Sequence, residues 1–304
     1  MSNSQDSPTF ALPPFDHVKA DVILRSSDGV DFRVFRLFLS LASPFFETLF
    51  DLPQPSEAAN ADMEIKDGLP VIPVSEGSKT LDSLVRFCYP CTLAEDPVIE
   101  DFREIISVLD AAKKYSLDVI QSAVCKSLFI PKILEVNPLR CFAIACRDRM
   151  QDECTLAAKY TLREPLIPEW FEEIELITSA ELLSLLTYHQ ECSKAVVALK
   201  DDLSWVFPDV NLDHDYPCEG GRRRTTSNRG DWCRGFIDST FVDLLDRPCA
   251  ETIRTNVEKA IQTVQQRQCT VCRQVVPSCL RELATVFTNK LEEAIAPITL
   301  NLKF

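Results

Sequence analysis

Strand-like alternation is confined to two short stretches near the start of this chain, ADVILRSSDGVDF at 20–32 and VIPVS at 71–75. Every later apolar pattern repeats with the period of a helix. A chain patterned this way builds one small sheet early and then wraps or extends it with helices, so the expected class is α+β. Within the first stretch the pattern breaks at Ser26-Ser27-Asp28-Gly29, and Asp-Gly between two apolar runs marks a hairpin of antiparallel strands.

The helical signals follow in order. Phe35 to Ala42 is apolar on most sides and leads into Ser43-Pro44-Phe45-Phe46, where Ser43 can cap a helix whose first residue is Pro44. Asp51 to Asp67, interrupted by Pro53 and Pro55, reads as an exposed loop before the VIPVS strand. A helix from Ser78 carries Leu81, Leu84, Val85 and Cys88 on one face and ends at Pro90. Phe102, Ile105, Ile106 and Leu109 repeat that spacing, and another helix spans Leu117 to Phe129. Together these segments make a unit of ordinary domain size.

Beyond Pro131 the pattern is helical. Asn137-Pro138 reads as a cap with proline at the first helical position, followed by the stripe Leu139, Phe142, Ala143 and Cys146. Trp170 to Leu186 and Gln190 to Leu199 read as two further stretches. Periodicity vanishes between Phe207 and Asp231, then returns with Phe236, Phe241, Leu244 and Leu245, and again with Leu280, Leu283, Phe287, Leu291 and Ile295. The expected organisation is a flexible tail at 1–19, a sheet-containing domain at 20–130, a helical extension at 131–206, a linker at 207–230 and a helical, cysteine-containing region at 231–304. The tail is assigned on its Ser, Pro and Asn content, and His17 within it is expected to be solvated.

Composition narrows the function classes. With 46 acidic against 32 basic residues the net charge is -14, which repels phosphate backbones and anionic lipid, so nucleic acid is not the expected ligand. The first twenty residues lack a basic start and an apolar run, and no stretch stays apolar long enough to span a bilayer. A soluble cytoplasmic or nuclear protein without membrane partners is expected. Its 13 cysteines then read mainly as reduced core thiols, with Cys88, Cys125, Cys141 and Cys146 on buried helix phases.

The run Asp21 to Phe50 resembles the opening of a BTB (POZ) domain, with Asp21-Val22 on the first strand, Phe32 on the second, then Phe35-Arg36, Leu37-Phe38-Leu39 and Ser43-Pro44-Phe45-Phe46. VIPVS, LDSLVRFCYP and Asp110-Ala111-Ala112-Lys113-Lys114-Tyr115-Ser116-Leu117 continue the resemblance in order. It implies a BTB/POZ fold, a small sheet wrapped by short helices, followed here by a mostly α-helical C-terminal region. It also implies protein partners: a homodimer acting as scaffold or adaptor, with Phe35, Leu37, Phe38 and Leu39 at the dimer interface and Asp21 with Arg36 in a charged pocket. The alternative for the two charges is a plain buried ion pair. Relatives often have His-Lys where Phe35-Arg36 stands. Cullin-type ubiquitin-ligase adaptors of the family carry a hydrophobic-x-Glu motif after the Ser-Pro helix; the segment Asp51-Leu52-Pro53-Gln54 offers no clear match, so a cullin partner stands as an alternative.

No nucleotide loop, nucleophile elbow or HExxH motif is present, and only 7 glycines occur, so no catalytic residue is assigned and a binding module is expected in place of an enzyme. His189 and Cys192, three apart on one helix, lack the third group that orients an activated pair. Cys269 and Cys272 have zinc-ligand spacing, and Cys233 and Cys218 could complete four ligands, with Cys249, Cys279 and His214 in reserve. A zinc-dependent regulatory role is the remaining alternative, against thiols that merely fill a helical core. Arg222-Arg223-Arg224, with Arg229 and Arg234, is the basic cluster of the chain and reads as a solvated loop beside the phosphorylatable Thr225, Thr226 and Ser227.

Overall fold

The computed structural model describes residues 9–51, 64–165, 167, 169–206, 231–266 and 270–304. The chain divides into two compact units, Met1–Ile130 and Pro131–Phe304.

Among its described residues the first unit carries five short strands and five helices. Strands β1 (Thr9–Phe10), β2 (Val22–Arg25), β3 (Val30–Val34), β4 (Ile65–Lys66) and β5 (Leu69–Pro73) form one sheet in the order β1-β3-β2-β5-β4. β2 and β3 pair antiparallel with Val22 opposite Val34, whereas β2 and β5 run parallel with Ile23 opposite Val71. The β2–β3 turn depends on Gly29 at φ 82°, a conformation that side-chain-bearing residues rarely adopt. Asp28 in that turn accepts hydrogen bonds from the Ser78 amide at 2.9 Å and the Ser78 hydroxyl at 2.6 Å, tying the turn to the start of α3 (Ser78–Cys88).

Helices α1 (Arg36–Ala42), α2 (Pro44–Asp51), α3, α4 (Phe102–Lys114) and α5 (Asp118–Leu128) enclose the sheet. Val22, Ile23, Leu24, Phe32, Leu39, Leu81, Leu84 and Leu109 are completely or almost completely buried. That apolar area, at about 25 cal/mol per Å² removed from water, is what holds strand pairs too short to stand alone.

Two differences from the sequence reading lie here. Residues 9–19 are not a tail: β1 pairs in parallel with β3, and Phe15 is fully buried against Phe32 and Tyr89, with ring centroids 5.7 and 5.4 Å away. Polar composition suggested disorder, but one aromatic side chain anchors the segment. The end of the expected loop at 51–67 is likewise structured, because Asp67-Gly68, with φ values of 52° and 77°, makes a two-residue turn joining β4 to β5.

The second unit is helical: α6 (Pro131–Leu134), α7 (Pro138–Arg147), α8 (Gln151–Thr161), a 3-10 turn at Glu172–Leu176, α9 (Ser179–Ala198), a second 3-10 turn at Ser204–Val206, α10 (Asp231–Asp246), α11 (Ala250–Gln265) and α12 (Thr270–Ile295). The stretches expected at Trp170–Leu186 and Gln190–Leu199 resolve into that first 3-10 turn and a single long helix. Thr178 starts the helix with a capping box, its hydroxyl accepting from the Glu181 amide while the Glu181 carboxylate accepts from the Thr178 amide at 2.6 Å. The last helix starts upstream of the Leu280 stripe and runs through Pro277. Burial of Val276, Leu280, Leu283, Phe287 and Leu291 offsets the hydrogen bond that Pro277 cannot donate. Of the residues that set the helical period here, Phe236, Phe241 and Leu244 are buried with Ile253, Val257 and Ile261, whereas Leu245 is exposed.

Candidate functional site

The residues expected to mark the first unit do meet, and most of them hold it together. Ser43 is buried between α1 and α2, where its hydroxyl donates to the Tyr115 carbonyl at 2.5 Å and accepts from the Phe46 amide at 3.2 Å. The Phe46 and Tyr115 rings stack with centroids 4.9 Å apart. The Tyr115 hydroxyl donates to Glu76 at 2.5 Å, and Lys114 donates to the same side chain at 2.8 Å. Burial pushes the Glu76 carboxyl up, but these donors outweigh it and hold the group below its ordinary range. Ser43-Pro44-Phe45-Phe46 and Lys114-Tyr115 are therefore one structural joint.

A second aromatic joint gathers Phe35 and Phe38. The Phe35 amide donates to the Tyr89 hydroxyl at 3.0 Å, and the Phe38 ring lies 4.9 Å from that of Tyr89. Burial raises the Tyr89 phenol to about 12, so it stays protonated and free to donate as well. Both phenylalanines are half-buried by contacts inside the unit, and Leu39 is wholly within the core. Of the four apolar residues assigned to a dimer face, only Leu37 projects into solvent. Leu41, one turn further along α1, joins it.

Asp21 and Arg36 come together differently from expectation. The Asp21 carboxylate accepts from the Arg36 backbone amide at 2.8 Å, so it caps the first turn of α1. The Arg36 guanidinium lies over the Phe50 ring, 5.5 Å from its centroid, and its Nε is buried without a hydrogen-bond partner among the described residues. The backbone geometry that lets Asp21 reach a helix start cannot be read from residue spacing. Among the described residues the fully buried carboxylate of this unit is Asp31, which accepts from Arg25 Nε and Lys66 Nζ, each at 2.6 Å.

In the second unit, Cys218 and Cys269 lie outside the described residues, as do Arg222, Arg223, Arg224 and Arg229; Arg234 is exposed on α10. Cys272 falls within α12. Cys233 is buried on α10, and burial pushes its thiol up to about 11, with Cys279 near enough to raise it further. Cys125, Cys141 and Cys146 are buried as the helix phases indicated, whereas Cys88 is half-buried. Among the described residues no group of three or more His, Cys, Asp or Glu is placed to hold a metal ion.

His189 and Cys192 are both buried in α9. His189 Nε2 lies 3.1 Å from the Glu164 carbonyl, which makes Nε2 the protonated nitrogen, and Nδ1 has no partner among the described residues. Burial lowers the His189 pKa and lifts the Cys192 thiol to about 11, so neither ionises as a base-and-nucleophile pair requires.

Among the described residues, the first unit is a sheet of five short strands packed with five helices and tied by two aromatic joints. Residues 15–129 match the family model of the BTB/POZ domain, and the first unit is a BTB/POZ domain, a protein–protein interaction module. A helical C-terminal region follows it. No curated protein matches the chain. No described helix is long and apolar enough to cross a membrane. Of the segment Asp51-Leu52-Pro53-Gln54, compared above with the cullin-adaptor motif, only Asp51 is among the described residues.

Proposed function

We propose that this chain is a homodimeric scaffold or adaptor of the cytoplasm or nucleus, self-associating through its BTB/POZ domain and engaging a protein partner with its helical second unit. One observation carries the reading. Leu37 and Leu41, 62% and 78% exposed, stand one turn apart on α1 with nothing among the unit's described residues covering them. Paired leucines on an exposed helix face lose apolar area to water unless a second surface meets them, and a two-fold contact buries both copies at once. The half-buried Phe35 and Phe38 support the base of that helix and fix its angle of presentation.

Light scattering tests this. The wild-type chain is expected at twice its 34.3 kDa mass, and Leu37→Asp with Leu41→Asp is expected to give the monomer mass with unchanged helix content, since neither side chain is part of the core. A clean wild-type monomer at micromolar concentration would remove the dimer from the proposal.

A further inference from the structure

Away from α1, the BTB/POZ domain holds a shallow groove of about 830 Å³ that is open to solvent along its length. Its apolar part comes from Phe10 of the edge strand β1 and Val30 of β3, with Leu12 and Val98 at the lips. Leu12 is 79% and Val98 87% exposed, so both present methyl groups to water at the groove mouth. The wall opposite β1 is the extended segment leading into α4 together with the first turns of α3 and α4.

The charge of this lining is one-sided. Four carboxylates, Asp82, Glu100, Asp101 and Glu104, face one ammonium, Lys79. Asp82 is held by Arg86 at 2.6 Å and Glu104 by Lys79 at 2.5 Å, while Asp101 caps α4 by accepting from the Arg103 amide at 3.0 Å. Glu100 is exposed and has no ion-pair partner among the described residues, and the exposed Glu95 and Asp96 precede it on the same segment. An apolar trough whose exposed rim carries the unpaired Glu100, with Glu95 and Asp96 on the same segment, recognises a segment carrying both apolar side chains and positive charges.

We infer that this groove is a docking site for an extended cationic segment of a partner protein, one in which Lys or Arg alternates with apolar residues. The apolar side chains cover Leu12 and Val98 beside Phe10, whose ring already holds Lys66 at 4.1 Å and Arg33 at 5.2 Å, and the cations meet Glu100 and its acidic neighbours across the groove. The site is independent of the dimer, whose leucines lie on α1. Contact of this size, with charge at an exposed rim, gives a weak, fast and salt-sensitive complex.

The test uses the full chain and three short fluorescein-labelled peptides, read by anisotropy: alternating Lys and Leu, alternating Glu and Leu, and alternating Lys and Ser. The Lys/Leu peptide is expected to bind in the micromolar range, the Lys/Ser peptide more weakly and the Glu/Leu peptide not at all. Glu100→Lys is expected to weaken Lys/Leu binding roughly tenfold and Val98→Ser several-fold, neither residue belonging to the core. Glu258→Lys, the same charge change on an exposed position of α11, serves as control and should alter affinity by less than about twofold. Equal losses in Glu100→Lys and Glu258→Lys would assign the binding to overall acidity and overturn the site, as would failure of the Lys/Leu peptide to bind. If Glu100→Lys abolished self-association seen by light scattering, the occupant would be a second copy of the chain, which also overturns the proposal.

Discussion

Asp31 is the side chain whose loss should cost the BTB/POZ domain most for the smallest change in shape. It is fully buried in β3, yet its carboxylate accepts from Arg25 at 2.6 and 3.1 Å and from Lys66 at 2.6 Å. Breaking a buried pair by removing one partner costs about 3–5 kcal/mol, because the remaining charge is stranded. Here Arg25 and Lys66 keep side-chain exposures of 20% and 22%, and Arg25 retains Glu64 at 2.6 Å, so both cations can partly resolvate. The lower end applies, and Asp31→Asn is expected to destabilise the domain by about 3 kcal/mol, which lowers its melting temperature by roughly 10–15 °C.

The pH dependence gives a second, sharper signature of the same contact. Burial pushes the Asp31 carboxyl up, but the hydrogen bonds from Arg25 and Lys66 outweigh it and hold the group below its ordinary value. A carboxyl whose folded pKa is depressed contributes stability above its unfolded pKa of about 3.9 and loses it as pH falls through the folded value. Wild-type and Asp31→Asn should therefore differ fully at neutral pH and converge below about pH 4. Trp170, Trp205 and Trp232 all lie in the second unit, so their fluorescence does not report on this domain. Hydrogen exchange of peptides spanning β2 and β3 does. A stability gap that stays constant from pH 7 to pH 3, or one under about 0.5 kcal/mol, would show that the ionised carboxylate is not what the cations hold.

Two further outcomes follow from the geometry. Asp21→Ala should cost about 1 kcal/mol, the loss of a helix-start hydrogen bond, and a double-mutant cycle with Arg36→Ala should show coupling near zero because Asp21 bonds the backbone; strong coupling would mean that the two side chains pair. In the second unit, Cys233 lies in a helical core where burial raises its thiol, so we expect metal analysis to find far less than one zinc per chain and a chelator to leave the helix content unchanged; stoichiometric zinc lost in Cys272→Ser would reverse that assignment.

Local chemistry made much of the molecule legible. Asp28-Gly29 placed the hairpin because only a glycine takes its φ without strain, Ser43-Pro44 placed a helix start, and the spacing of Leu81, Leu84 and Val85 marked a buried face. The same kind of signal, Asp67-Gly68, was available for the β4–β5 turn. The candidate site was less legible: Phe35, Leu37, Phe38 and Leu39 look equivalent in sequence, yet one is core, two brace Tyr89 and one faces solvent.

What the sequence by itself determined was the hairpin, the third long strand, most of the helices and the class of the first domain, since turn chemistry, caps and apolar period act between residues a few positions apart. Only the tertiary structure decided that Phe15 closes the core, that Asp21 bonds a backbone amide in place of the Arg36 side chain, and that Glu100 and Val98 share a groove with Phe10. Those relations join residues far apart in the chain, and their energies depend on burial, which no local pattern contains.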